Sequence, residues 1–140
     1  MIATWPDTLP RPERKTWNAQ PQDARRKRQH ETGPPGYRRR FSSVAEFVTL
    51  SVVLTRAEKA VFDQFYRLEC AQGAHLFWMP DPTTDGWPLL DGDGQPLMVD
   101  DSTPLLISAT WLCAWGDEPP QESIAGQVEF RKTFSVVVMP

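Results

Sequence analysis

The chain has 140 residues, 40% of them hydrophobic, and a formal net charge of −3 at pH 7. That length supports one hydrophobic core but not two, and no run of eighteen apolar residues offers a membrane span. The opening Met1-Ile-Ala-Thr-Trp-Pro6 lacks the basic start and apolar stretch of a secretory signal, which argues against export by that route. Cys70 and Cys113 have no CxxC spacing and read as buried, reduced thiols. His30 and His75 lack ligand-spaced companions, so neither a metal nor a cofactor is expected.

The small net charge conceals an asymmetry. Residues 1–40 carry ten basic residues against four acidic ones, a net of +6, and residues 41–140 carry five against fourteen, a net of −9. A basic arm on an acidic body suits contact with nucleic acid or with the acidic body of a neighbouring copy. The second is more economical, because the chain supplies both signs.

Residues 1–36 form a polar lead segment with six prolines and almost no aliphatic periodicity. Such composition buries too little apolar surface to offset the entropy of ordering it alone. Its apolar exceptions, Trp5, Leu9 and Trp17, read as anchors along an extended arm that lies on another surface. Gly33-Pro-Pro-Gly36 is expected to turn.

From Phe47 the pattern changes. Val48, Leu50, Val52 and Leu54 alternate along a half-buried strand over Phe47–Leu54. Thr55-Arg-Ala-Glu58 is a capping box that opens a helix reaching about Gln72. Ala57, Val61, Phe65 and Leu68 make its core-facing stripe, widened by Phe62 and Tyr66, and Gly73 is the expected C-cap. A strand over His75–Met79 stops at Pro80. Residues 80–104 read as loop, with short extended pieces at Trp87–Leu90 and Pro96–Val99 around a turn at Asp91-Gly-Asp-Gly94. Further strands are expected at Leu105–Cys113 and Gln127–Met139, the latter with Val128, Phe130, Phe134, Val136 and Val138 inward. Lys132 breaks that inward face, which predicts a bulge or a snorkelling lysine. No internal repeat is read.

Chemistry-bearing motifs fare poorly. Asp91-Gly-Asp-Gly-Gln95 invites a calcium loop, but Pro96 takes the position of the required glycine and Ser102 that of the bidentate glutamate. Asp81 with Asp85, and Asp100 with Asp101, lack a nucleophile or base partner and read as solvated loop charge. With no phosphate loop and no nucleophile elbow, the chain is not expected to be an enzyme. The arginine runs Arg25-Arg26-Lys27-Arg28 and Arg38-Arg39-Arg40 are the strongest electrostatic feature, and they read as forks for acidic patches on a neighbour. Of the later tryptophans, core packing accounts for one or two among Trp78, Trp87, Trp111 and Trp115, and Trp87 is the candidate for a subunit contact.

The order of these elements resembles the minor tail protein M family of lambda-like phages, grouped with distal tail proteins. The matching features are Gly36-Tyr37, Val48-Thr-Leu-Ser-Val52, a helix over Arg56–Leu68 containing Phe65, Phe77-Trp78-Met-Pro80, Ala109-Thr-Trp111, and Val128-Glu-Phe130 through Phe134-Ser-Val136. They cover roughly residues 36–140. The resemblance implies a mainly β, tail-tube-like sandwich with one packed α-helix. It also implies assembly with other copies, typically a hexameric ring, in the virion tail. Such a ring joins the tail tube protein to the hub and receptor-binding proteins, is built in the host cytoplasm, and passes DNA through its lumen without specific binding. The resemblance supplies no catalytic residue. The expected division is an arm over 1–36 and a ring domain over 37–140. Trp5, Trp17, Arg25, Arg26, Arg28, Arg38, Arg39, Arg40 and Trp87 are the expected subunit-interface residues. A neck or tail-terminator ring, and a small nucleic-acid-binding module using the arginines, are the alternatives.

Overall fold

A computed structural model describes residues 2–140. Its spine is an antiparallel pair. Strand β5 (Glu46–Leu54) lies along β9 (Phe130–Val138) over nine residues, from Glu46↔Val138 to Leu54↔Phe130. The alternation read in the sequence holds: Val48, Leu50, Val52 and Leu54 are fully buried, and Lys132, Phe134, Val136 and Val138 of β9 share their side. Apolar residues at every second position give each strand one face that must leave water.

Helix α1 (Arg56–Gln64) packs on that face. Both halves of its capping box form: the Glu58 N–H donates to the Thr55 hydroxyl at 3.4 Å, and the Glu58 carboxylate accepts from the Thr55 N–H at 3.0 Å. The helix continues as a π turn over Phe65–Glu69, closed where the Cys70 N–H donates to the Phe65 carbonyl at 3.0 Å. It thus stops short of Gln72, and Ala71, Gln72 and Gly73 follow with φ of 49°, 58° and 95°. The π turn winds more residues per turn, so Leu68 falls behind the stripe and is 72% exposed. Phe62 and Phe65 are the helix's buried centre, with Val61 and Tyr66 beside them; Ala57 faces solvent.

Seven strands join in one mixed sheet in the order β1 (Ala3–Thr4), β6 (Phe77–Pro80), β7 (Thr110–Trp115), β9, β5 and β2 (Asn18–Pro21), with β8 (Gln121–Ile124) also on β9. Strand β6 (Phe77–Pro80) pairs antiparallel with β7 (Thr110–Trp115), which is later and shorter than the expected Leu105–Cys113. Strands β7 and β8 (Gln121–Ile124) lie in succession along one edge of β9, at Val136–Val138 and Phe130–Thr133. The break between them starts at Gly116, where a Cβ would come within 2.0 Å of the Ser135 hydroxyl and 3.0 Å of its carbonyl. Only glycine permits that approach. The chain is therefore mainly β with one packed helix, an α+β arrangement as expected.

The lead segment departs from expectation. Strand β1 (Ala3–Thr4) runs parallel to β6, and β2 (Asn18–Pro21) runs antiparallel to β5. Residues 5–17 therefore pass from one edge strand of the sheet to the other. Trp5, 5% exposed, sits among Phe62, Phe65, Phe77 and Phe134 at ring separations of 5.6–6.2 Å, and Leu9 is buried in the same core. Within the expected arm over 1–36, strands β1 and β2 thus join the sheet, and Trp5 and Leu9 join its core.

Lys132 is 8% exposed and neither bulges nor snorkels: it stays in register opposite Val52. Its ammonium meets Asp63 of α1 at 3.0 Å and Glu122 of β8 at 3.1 Å, with the Phe62 ring 5.6 Å away. Two carboxylates from different elements compensate the desolvation of one amine. Val128, expected inward, lies before β9 begins and is exposed.

Candidate functional site

Two features project from this body, and the pairing register roots both at the same end of the sheet. The C-terminal end of β9 meets the start of β5, which meets the end of β2; beyond it lie the end of β6 and the start of β7. One projection leaves between β2 and β5, the other between β6 and β7.

The first is a basic ribbon. Strands β3 (Arg25–Arg28) and β4 (Gly36–Arg39) form a separate two-stranded antiparallel sheet. Its stem is closed where the Arg40 N–H donates to the Ala24 carbonyl at 2.6 Å and the Gln22 N–H to the Ala45 carbonyl at 2.8 Å. The register sets Arg25 opposite Arg39 and Arg26 opposite Arg38. By alternation, Arg25, Lys27, Tyr37 and Arg39 share one face and Arg26, Arg28 and Arg38 the other. Arg25 bonds Asp23 at 3.0 Å, which lowers the Asp23 pKa below the ordinary carboxylate value, and lies 4.4 Å from the Tyr37 ring centre. Arg26, Arg28, Arg38 and Arg39 are exposed and have no carboxylate within salt-bridge reach among the described residues. Residues 22–40 carry a net +5.

The second is a knob over residues 87–107, and it contains a repeat that the sequence reading missed. Trp87-Pro-Leu-Leu, Gln95-Pro-Leu-Met and Thr103-Pro-Leu-Leu recur at intervals of eight residues. The three segments close on one another: Leu89 N–H donates to Leu105 carbonyl, Leu105 N–H to Leu97 carbonyl, and Leu97 N–H to Leu89 carbonyl, each at 2.8 Å. The bridges Pro88↔Leu106, Leu90↔Pro96 and Met98↔Pro104 follow the same three-fold pattern. Exposure repeats it too: 39, 39 and 43% for Leu89, Leu97 and Leu105, and 54, 50 and 54% for Leu90, Met98 and Leu106. Each proline lacks an N–H and leaves its neighbouring leucine as the donor. The turns are locked by aspartates: the Asp91 carboxylate accepts from the Asp93 and Gln95 N–H groups at 2.9 and 3.0 Å, and that of Asp100 from Ser102 and Thr103 at 2.9 and 2.8 Å. The backbone bond from Ser102, with those from Thr103, holds the Asp100 pKa below its usual range. The expected turn at Asp91–Gly94 is present, as one corner of the knob.

Residues 81–107 carry six aspartates and no lysine or arginine. The knob is rooted on the lead segment, where an Arg11 guanidinium N–H donates to the Asp85 carbonyl at 2.8 Å and Arg14 lies 5.1 Å from the Trp87 ring centre.

The nine expected interface residues separate into three places. Trp5 is in the core, so it anchors the chain's own fold and is unavailable to a neighbour. Trp17 and Trp87 meet in one shallow cleft with Pro12, Glu13, Arg14, Pro82 and Thr83, and the buried Trp17 indole N–H has no acceptor among the described residues. Five of the six arginines lie on the ribbon strands, and Arg40 follows at the stem.

Two polar networks escaped the sequence reading. Glu13 accepts from Arg131 at 3.0 and 3.1 Å and from the buried Ser51 hydroxyl at 2.6 Å, and Thr16 also bonds Ser51. The Arg131 bond, with help from Ser51, lowers the Glu13 pKa. Glu122, held by Lys59 at 2.9 Å and by Lys132, is lowered likewise. Both fasten peripheral segments to β9. No three groups of the metal-ligating types converge among the described residues. Comparison with known protein families, with curated proteins and with solved structures finds no match.

Proposed function

We propose that this chain is a structural subunit of a phage tail, one of several copies in a ring that joins the tail tube to the tip. The observation that carries the self-assembling part is the pair of oppositely charged projections rooted at one end of a sheet body. A subunit carrying both a positive and a negative surface can join its neighbour head to tail, and such heterologous contacts close into a ring when the rotation allows. The tail location rests on the resemblance in motif order across residues 36–140. The net −9 of residues 41–140, of which −6 falls on residues 81–107, fits that place, since a basic lumen would retain passing DNA electrostatically.

The test is an amber mutation in the gene within the phage that encodes it. The expected result is filled heads with tails that are absent or unfinished, restored by the chain supplied in trans. Normal, infectious particles from the mutant would remove the structural reading. A neck ring is the second reading, and it predicts finished tails that fail to join heads.

A further inference from the structure

We propose that the acidic knob of one copy seats on the basic ribbon of the next, so that these two projections are the subunit contact itself. The inference rests on the self-assembly reading above and adds which surfaces meet.

Three observations support it. First, the ribbon is unfavourable as it stands. An isolated two-stranded hairpin is marginal in water, and like charges directly across a strand pair destabilise it further. Here Arg26 faces Arg38 and Arg25 faces Arg39, and of these four only Arg25 has a carboxylate partner among the described residues. An anionic partner relieves that repulsion. Second, the knob has the complementary composition. It carries −4 over residues 87–107, and −6 with Asp81 and Asp85 at its root, against the ribbon's +5 over residues 22–40, and Asp93 and Asp101 make no side-chain bond among the described residues. Third, the knob exposes two rings of leucine and methionine side chains that its own chain leaves uncovered. An exposed apolar patch rimmed by charge marks a protein contact, and the ribbon brings the exposed Tyr37 and the arginine stems to cover it. Nucleic acid accounts for the ribbon's charge but gives the apolar knob nothing to meet. No ion pair links a copy's own ribbon and knob among the described residues, which leaves both open to a neighbour.

The experiment is light scattering on the full-length chain over a concentration series at low and high salt. It compares wild type, a ribbon variant (Arg26→Glu with Arg38→Glu) and a knob variant (Asp93→Lys with Asp101→Lys). All four side chains are exposed and have no side-chain partner among the described residues, so circular dichroism should report an unchanged fold. Wild type is expected to associate, less so at high salt. Each variant alone is expected to associate at least about tenfold more weakly. An equimolar mixture should recover association, because every junction between the two variants again pairs opposite signs. Variants that associate like wild type would overturn this contact and leave self-assembly standing. A wild-type chain that is monomeric at every concentration in low salt would overturn both. Association untouched by the ribbon variant, alongside loss of its binding to a DNA duplex, would reassign the ribbon to nucleic acid.

Discussion

Replacing Trp5 with alanine tests whether the lead segment belongs to the core. Trp5 is 5% exposed and touches four phenylalanine rings, edge-on to Phe62 and Phe65 and stacked on Phe134 at 5.9 Å. Removing a buried aromatic of this size costs about 3–5 kcal/mol through lost transfer free energy and the cavity left behind. A domain of this size holds about 5–15 kcal/mol in total, so W5A should forfeit about a fifth of it or more. That corresponds to a fall in Tm on the order of 10–20 °C. Urea unfolding followed by far-UV circular dichroism reads the loss without depending on tryptophan fluorescence. Trp87→Ala is the matched control: the exposed ring makes one cation–π contact with Arg14, and its loss should cost no more than about 1 kcal/mol. Deleting residues 2–21 should unfold the chain, because the deletion takes Trp5, Leu9 and both edge strands together. A W5A loss no larger than the W87A loss, or a stable deletion variant, would refute the placement of this segment in the core.

The capping box makes Thr55→Ala cost about 1 kcal/mol by urea unfolding, with the helix otherwise retained. Lys132→Ala should cost more, about 2–4 kcal/mol, because it leaves Asp63 and Glu122 facing each other without their shared cation; Lys132→Met, which keeps the packing on Phe62, should lose packing less. Glu13 and Glu122 have folded pKa values below the ordinary 4.5. Their contribution is therefore complete above that value and is lost as pH falls through the lower folded values. Stability measured from pH 6 downward should decline below about pH 4.5, and E122Q should flatten that decline. Burial pushes the Cys113 thiol up to about 12 and raises Cys70 as well, so neither should react with a thiol reagent at pH 8 until the chain unfolds; rapid native labelling would contradict their burial.

What could be read from the sequence was local. Strand β5, the start of α1 and β6 declare themselves within a few residues, through alternation, a cap and an aromatic run ending in proline. The features that escaped depend on distant partners. Trp5 looks like an isolated anchor until β1 finds β6 some seventy residues on, and Ala3 and Thr4 alone carry no strand pattern. Lys132 looks like a defect in β9 until α1 and β8 each bring it a carboxylate. Strand β8 is exposed along its whole length, so nothing apolar announces it. The knob's repeat rests on a Pro-Leu pair in each eight-residue unit, within a stretch whose prolines and aspartates suggest loop. The arginine runs were visible at once, but their pairing into one ribbon depends on a hairpin register that composition does not give.

Immunogold electron microscopy of intact virions, with an antibody against this chain, tests the central claim most directly. The account predicts label at the distal tip of the tail. Label at the neck would move the ring to the head-proximal end, and particles that neither bind the antibody nor release the chain on dissociation would contradict its place in the virion.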